Sequence, residues 1–409
     1  MSLNSAPSAE RIHIGFFGRR NAGKSSLVNA VAGQELAVVS QVKGTTTDPV
    51  QKAMELLPMG PVVVIDTPGI DDQGDLGTLR VRKARQILNK TDVAVLVADG
   101  TTGITAVEQE LLELFKEKQI PYVVAFNKED LRNAKHPAWE DSMLENSIKV
   151  SAKTGFQVEV LKEMIARLAV ANEPKHRIVG DLLKPSDIVV LVTPIDKAAP
   201  KGRLILPQQQ TIRDILESDA VSVVVKENQL KDTLKHLGKQ PAMVITDSQV
   251  FAKVSADTPR QIPLTSFSIL FARYKGDLEM VVQGAAAIEK LQDGDQLLIS
   301  EGCTHHRQCD DIGSVKIPRW LKEHTKKQLQ IQFSSGTEFP EDLSGYKLIV
   351  HCGGCMLNQR EVKYRFKCAK DQGVPITNYG IAIAYMQGIL RRSVELFPQA
   401  LACLPEQHG

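Results

Sequence analysis

The sequence predicts an α/β protein made of three successive α/β domains, the third built on a parallel sheet. Three observations carry this. Short, continuous apolar runs recur (PVVVID at 61–66, VAVLVAD at 93–99, YVVAFN at 122–127), as expected of strands buried on both faces of a parallel sheet. Amphipathic stretches at 77–90, 105–119 and 157–170 lie between or after them and read as crossover helices. The alternation then restarts twice, each time after a polar segment.

The first block, 1–172, opens with the strand RIHIGFF and a helix from Gly23 onward. ANEPKHR (171–177) reads as a linker. The second block, 178–262, repeats the pattern on a smaller scale. Its expected strands are 187–194, 220–226 and 242–247, with helices at 208–217 and 227–237. It carries no chemical motif, which suits an assembly element, so it is expected to mediate dimerisation. SADTPRQIPLTS (255–266) is the next expected boundary. In the third block, 267–409, SILFAR, DQLLIS, LQIQF and YKLIVH read as strands, with helices at 276–290, 318–325, 358–371 and 379–396.

Composition narrows the function classes. The net charge of +2 argues against a dominant attraction to nucleic acid. The N-terminus lacks an apolar signal core, and no apolar run approaches the roughly 20 residues that span a bilayer. A cytoplasmic protein without a membrane partner is expected. All six cysteines (Cys303, Cys309, Cys352, Cys355, Cys368, Cys403) fall in the last quarter of the chain. In a long cytosolic chain such clustering points to ligands rather than to a disulfide framework.

Gly18-Arg-Arg-Asn21-Ala22-Gly23-Lys24-Ser25-Ser26 follows a strand and opens a helix, the context a phosphate-binding loop requires. Its glycines let backbone N–H groups close around phosphates, aided by the helix N-terminus. Lys24 is expected to reach the β- and γ-phosphates and Ser25 to ligate Mg2+. Asp66-Thr-Pro-Gly69 ends a strand: Asp66 would hold the magnesium shell and Gly69 would sense the γ-phosphate. Gly44-Thr45-Thr46-Thr47-Asp48 fits a first switch, with Thr46 (or Thr45) closing on magnesium. By itself it would read as a solvated turn. Asn127-Lys128-Glu129-Asp130 follows a strand, and a carboxylate there accepts the N1 and N2 donors of guanine, which adenine lacks. Ser151-Ala152-Lys153 would complete the base pocket. GTP and GDP are therefore the expected nucleotides.

This set resembles the translation-factor-related GTPases, in the branch of the tRNA-modification and Era-like enzymes. The resemblance implies that Asn21 coordinates K+, a cation acting as an arginine finger would. Ile70 follows Asp66-Thr-Pro-Gly69 where Ras-type enzymes carry glutamine, which implies slow hydrolysis and leaves the water-positioning residue open. Asn21 implies potassium stimulation, and Lys24, Thr46 and Asn21 are the expected catalytic groups.

Two further runs, Cys303-Thr-His305 and His351-Cys352-Gly-Gly-Cys355, follow predicted strands. In α/β sheets, sites form at the carboxyl ends of strands, so parallel neighbours would bring both runs to one edge. Three thiolates with one further ligand suit an iron–sulfur cluster, and Cys3His suits structural zinc equally well. A thioredoxin-like pair would leave Cys303 and the histidines unexplained. His306 reads as a solvated loop histidine, Cys309 as a weak competitor, and Cys368 and Cys403 as incidental thiols.

The order of the GTPase motifs, Cys-x-His and His-Cys-x-x-Cys, together with NYGIAIAYMQGIL (378–390), resembles the iron–iron hydrogenase maturation GTPases, the HydF family. The resemblance spans the chain and implies a 4Fe-4S cluster on Cys303, Cys352 and Cys355, with His305 and His351 as candidate fourth ligands. It also implies a homodimer formed through the middle domain, and a carrier role. A diiron subcluster made by two radical-SAM maturases would be delivered to the apo-(FeFe)-hydrogenase. The alternative is a ribosome- or tRNA-directed GTPase with a structural zinc domain. The C-terminal half shows no KH-type loop in basic surroundings, and KEHTKK (322–327) reads as a solvated helix face.

Overall fold

The computed structural model describes residues 8–34, 50–67, 69, 85–131, 146–170, 177–194, 204–302, 311–336 and 338–405. The chain forms two compact units, 1–173 and 174–409.

In the first unit, strands β1 (Ile12–Phe17), β2 (Val50–Leu56), β3 (Gly60–Asp66), β4 (Val93–Asp99), β5 (Tyr122–Asn127) and β6 (Ser147–Lys149) form one sheet in the order β2-β3-β1-β4-β5-β6. All pairings are parallel except β2 with β3. The apolar runs are buried on both faces. On β4, Val93, Val95 and Val97 enter one core layer, while Ala94, Leu96 and Ala98 enter the other. β2 was not anticipated: VQKAMEL is largely exposed at the sheet edge, so it carries no continuous apolar signal. Of the helix expected at 77–90, residues 85–88 are helical and 77–84 lie outside the described residues.

The second unit holds two four-stranded, fully parallel sheets. β7 (Ile188–Val192), β8 (Val221–Val225), β9 (Met243–Thr246) and β10 (Leu264–Ser266) run in the order β10-β9-β7-β8. β11 (Gln296–Ser300), β12 (Gln330–Ser334), β13 (Leu348–His351) and β14 (Ile376–Asn378) run in the order β12-β11-β13-β14. One apolar core joins them, from Val190 and Ile245 through Phe271 to Ile349 and Ile376.

That shared core corrects the expectation for SILFAR. The segment lies in a helix, Phe267–Lys275, capped by Ser266, whose Oγ accepts the Ile269 N–H. Ile269, Leu270, Phe271 and Ala272 are all buried, so the run has no helical period to read. The stretch 255–266, expected as a boundary, is folded. It carries β10 and is fastened by Arg392, whose guanidinium donates to the carbonyls of Ser255 (2.6 Å) and Thr258 (2.7 Å). The helix expected over 379–396 is two pieces, Tyr379–Met386 and Leu390–Ser393, parted at Gly388 with φ +70°.

Candidate functional site

β1 delivers the chain into the phosphate-binding loop. Gly18 (φ +141°) passes so close to β4 that a Cβ would lie 2.2 Å from the Val97 carbonyl oxygen. Asn21 sits exposed at φ +63°. Gly23 (φ +87°) precedes helix Lys24–Ala32, whose first turn has no side-chain cap. The N-terminal N–H groups are thus left for an anion. Lys24 is buried, and its Nζ donates to the Arg19 carbonyl at 2.7 Å. Arg19 itself is tied to the fully buried Glu108 (3.1 Å) and to Thr102.

Ser25 Oγ donates to Asp66 Oδ2 at 2.6 Å, while Asp66 Oδ1 is buried without a hydrogen-bond partner. Burial raises the Asp66 carboxyl above its usual range, against the opposing pull of Ser25 and Lys24. An orphaned carboxylate oxygen beside a loop hydroxyl is a fitting donor set for Mg2+. Gly69 lies against the loop, where a Cβ would come within 2.8 Å of the Arg20 backbone. Thr46 and Ile70 lie outside the described residues.

The guanine-motif residues come together, and one has a role the motif alone does not state. Asn127 is buried, donates to the carbonyls of Ala22 (3.1 Å) and Gly23 (3.4 Å), and accepts the Ala152 N–H (3.0 Å). It therefore braces the phosphate loop against the 151–153 loop. A Cβ on Gly23 would lie 2.3 Å from Asn127 Nδ2, so the brace needs that glycine. Asp130 Oδ1 accepts the Ser151 hydroxyl at 2.6 Å, and Lys153 is exposed. Lys128 pairs with Asp99 at 2.6 Å. Burial pushes the Asp99 carboxyl up, yet the Lys128 ammonium and the Thr101 donors outweigh it and hold it below its usual range. Sequence reasoning missed Asp99 and Glu108; their only signal was a carboxylate at a strand end and another at the third position of a helix.

In the second unit, β11 and β13 are parallel neighbours, with Ser300 opposite His351. The two strands thus end side by side at one sheet edge, with Gly302 and Cys352 just beyond them. The Cys352 N–H donates to the Ser300 carbonyl at 2.8 Å. Cys352 Sγ accepts the N–H of Gly302 at 3.0 Å and of Gly354 at 3.4 Å. Burial raises both the Cys352 and Cys355 thiols. Cys303, His305, His306 and Cys309 lie outside the described residues. Among the described residues no three His, Cys, Asp or Glu side chains gather as a metal-binding group.

His351 is turned inward. Its Nε2 is 3.3 Å from Arg365 Nη1 and its Nδ1 is 2.7 Å from the Cys352 carbonyl oxygen. Arg365 can only donate, so Nε2 accepts and Nδ1–H donates to the loop. Burial, then Arg365, lowers the ring's pKa to about 3, so it is neutral. Both ring nitrogens are engaged, so in this arrangement His351 braces the loop. Arg365 is fully buried and also donates to Glu361 (2.7 Å), the Gly336 carbonyl (2.6 Å) and Ser300 Oγ (3.2 Å). It had no signature in sequence beyond a cation in helix Gln359–Asp371. Cys368 packs against the core of its unit, as an incidental thiol would.

Comparison with known proteins follows this division. A model described as a 50S ribosome-binding GTPase matches residues 13–128. Models described as the Hydrogen maturase F dimerization and tetramerization domains match 178–276 and 279–396, together more than half of the chain. The part expected from sequence as a cluster-binding domain is thus the part matched as a tetramerization domain. Similar curated proteins include the tRNA modification GTPase MnmE of Desulforamulus reducens, 32% identical over 38% of this chain and 34% of that protein. GTPase Der of Wolinella succinogenes is 33% identical over 41% of this chain and 37% of that protein. The chain thus spans about a third of the length of these relatives. A crystal structure of an Aquifex aeolicus Era variant bound to GDP.AlF4- covers 55% of this chain and 98% of its own at 21% identity, with a TM-score of 0.36, too low to argue from. An N-terminal GTPase domain followed by both maturase domains places the chain in the hydrogen maturase F family.

Proposed function

We propose that this chain is a GTP-hydrolysing scaffold that holds a 4Fe-4S cluster, assembles a diiron subcluster as cargo and delivers it to apo-(FeFe)-hydrogenase. The observation behind this reading is the 3.0 Å hydrogen bond from Gly302 to Cys352 Sγ, which ties the residue before Cys303 to the second cysteine run. The ligands would be Cys303, Cys352 and Cys355. The inward His351 leaves the fourth position to another group, such as His305 or an exogenous ligand. N–H donors aimed at Cys352 suit an anionic sulfur site. A bound cluster with a labile fourth position would offer an iron able to accept a bridging group of the cargo.

Lys24, Ser25, Thr46 and Asp66 would hold GTP and Mg2+, and Asn21 would hold K+. Hydrolysis is slow in this reading and changes partner affinity through loops 40–50 and 66–77. The partners would be apo-hydrogenase, two radical-SAM maturases and a second copy of this chain, in the cytoplasm. The middle region, 178–262, would form the dimer. Its edge strand β8 exposes Val221 (48%) and Val224 (42%), an apolar edge that a second copy could cover. No helix among the described residues is long and apolar enough to cross a membrane.

The test is anaerobic reconstitution with iron, zinc and acid-labile sulfide analysis and EPR. Near four irons and four sulfides per chain are expected on the cluster's own composition, roughly, with three thiolate ligands. One tightly held zinc without sulfide would overturn the reading. Salt-dependent RNA binding at sub-micromolar affinity would instead favour an RNA-directed GTPase.

A further inference from the structure

A lysine from another part of the chain is built into the cysteine loop. Lys275 ends helix Phe267–Lys275 and is 3% exposed. Its Nζ donates to the carbonyls of Gly354 (3.2 Å), Cys355 (3.3 Å) and Leu357 (2.9 Å). Lysine has three N–H donors, and the loop places three carbonyls within their reach. The ammonium also lies 5.8 Å from the Phe271 ring centre.

The surroundings hold the helix end in place. A Cβ on Gly276, the residue after Lys275, would come within 2.6 Å of the Phe366 ring, so the chain closes tightly there. Phe366 in turn packs edge-on against His351, with ring centres 6.0 Å apart. Gln359 Nε2, just beyond the loop, donates to the Tyr274 carbonyl at 2.8 Å. Two ties therefore join the helix end to the loop.

A buried ammonium is expensive unless negative charge or good acceptors meet it. Holding a turn in shape needs only neutral donors. A lysine is suited to a loop where anionic sulfur will sit, and its three carbonyl contacts hold it there. Thiolate-ligated clusters are anionic and become more so on reduction, so a fixed cation beside them favours both binding and the reduced form.

We propose that Lys275 is a positioning residue of the cysteine loop, which fixes the turn through its carbonyls and supplies the buried positive charge that a bound anionic cluster needs. The proposal rests on the cluster reading above. It differs from the ligand set, because Lys275 touches backbone and not metal.

Three full-length proteins test it: the parent, Lys275→Met and Lys275→Gln. Thermal melting and oligomeric state are read first as controls of folding. After anaerobic reconstitution, iron and sulfide content, the EPR-monitored midpoint potential and the rate of iron loss to a ferrous chelator are compared. Lys275→Met is expected to lose iron about tenfold faster or more, the usual scale for outer-shell partners of a metal site, and to have a more negative midpoint. Lys275→Gln keeps an N–H donor without charge. Its midpoint is expected to fall as in Lys275→Met, with a smaller rise in iron loss. Folded variants that take up no iron at all support the same role. A clustered parent whose variants match it in potential and iron loss overturns the role of Lys275 alone. A parent that holds zinc and no sulfide overturns the cluster reading and this charge role with it. If Lys275→Met does not fold, Lys275→Gln alone decides.

Discussion

The phosphate-binding loop and the cysteine loop each bend backbone at the carboxyl end of a parallel strand, and they are held by different means. The first is held mainly by conformation and close approach, with one tie from the buried Lys24 to the Arg19 carbonyl. Gly18, Asn21 and Gly23 all take positive φ, and a neutral side chain, Asn127, braces the bend. The second is held by buried cations, Arg365 through His351 and Lys275 through the loop carbonyls. The difference suits the ligands proposed for the two loops. A nucleotide brings its own charge and its own magnesium, so the loop presents N–H groups and Lys24 to phosphates that are already ionised. A thiolate site must generate negative charge in a buried place, and burial alone pushes both thiols the wrong way.

If this contrast holds, the largest effect comes from Arg365→Met. It strands the Glu361 carboxylate in the core, and breaking a buried pair costs about 3–5 kcal/mol. Urea unfolding followed by Trp320 fluorescence in a Trp139→Phe background would show it. Adding Glu361→Leu should restore most of the loss. A change under about 1 kcal/mol would mean the cation does not hold this loop.

A glycine pair sharpens the comparison. Gly23→Ala places a Cβ 2.3 Å from Asn127 Nδ2 at φ +87°. Strain of about 1–3 kcal/mol should weaken GDP binding by roughly tenfold to a hundredfold in fluorescence titrations. Gly353, by contrast, has open space at its Cβ position. Gly353→Ala should leave iron uptake within about twofold of the parent, as surface-type changes do. Equal losses in both would erase the distinction.

Asn127→Ala removes the brace and leaves the Ala152 N–H without that acceptor. An unpaired buried group costs about 1–3 kcal/mol, so roughly a tenfold loss of GDP affinity is expected by calorimetry, with the cysteine unit unaffected. The smallest effect is Asp99→Asn. The folded carboxyl is held below its usual value, so its stabilisation is present at neutral pH and is lost as pH falls through the folded value. The variant should be less stable than the parent at pH 7 by at most about 1 kcal/mol, and the gap should close in acid. A gap that widens in acid would contradict the assignment.

The contrast also explains what could be read from sequence. The nucleotide site is written in contiguous motifs, so candidate residues and an expected role for each could be drawn from the sequence. The bracing by Asn127 and the supporting pairs made by Asp99 and Glu108 needed coordinates. The two cysteine runs read as candidate ligands in the sequence, but that their strands end side by side depended on β11 and β13 being neighbours. The cations behind the loop were invisible. Lys275 lies 79 to 82 residues from the carbonyls it meets, and nothing local marks it. SILFAR failed for a related reason: a helix whose residues 269–272 are all buried in the shared core loses its period and reads as a strand. His351 is a candidate ligand by its adjacency to Cys352, and adjacency does not show which way its ring turns.

X-ray absorption on anaerobically purified protein, before any reconstitution, tests the central claim most directly. At the iron edge the account predicts sulfur ligands with short iron–iron scattering, both lost in Cys352→Ser. A zinc edge with tetrahedral sulfur ligation and no iron would contradict it.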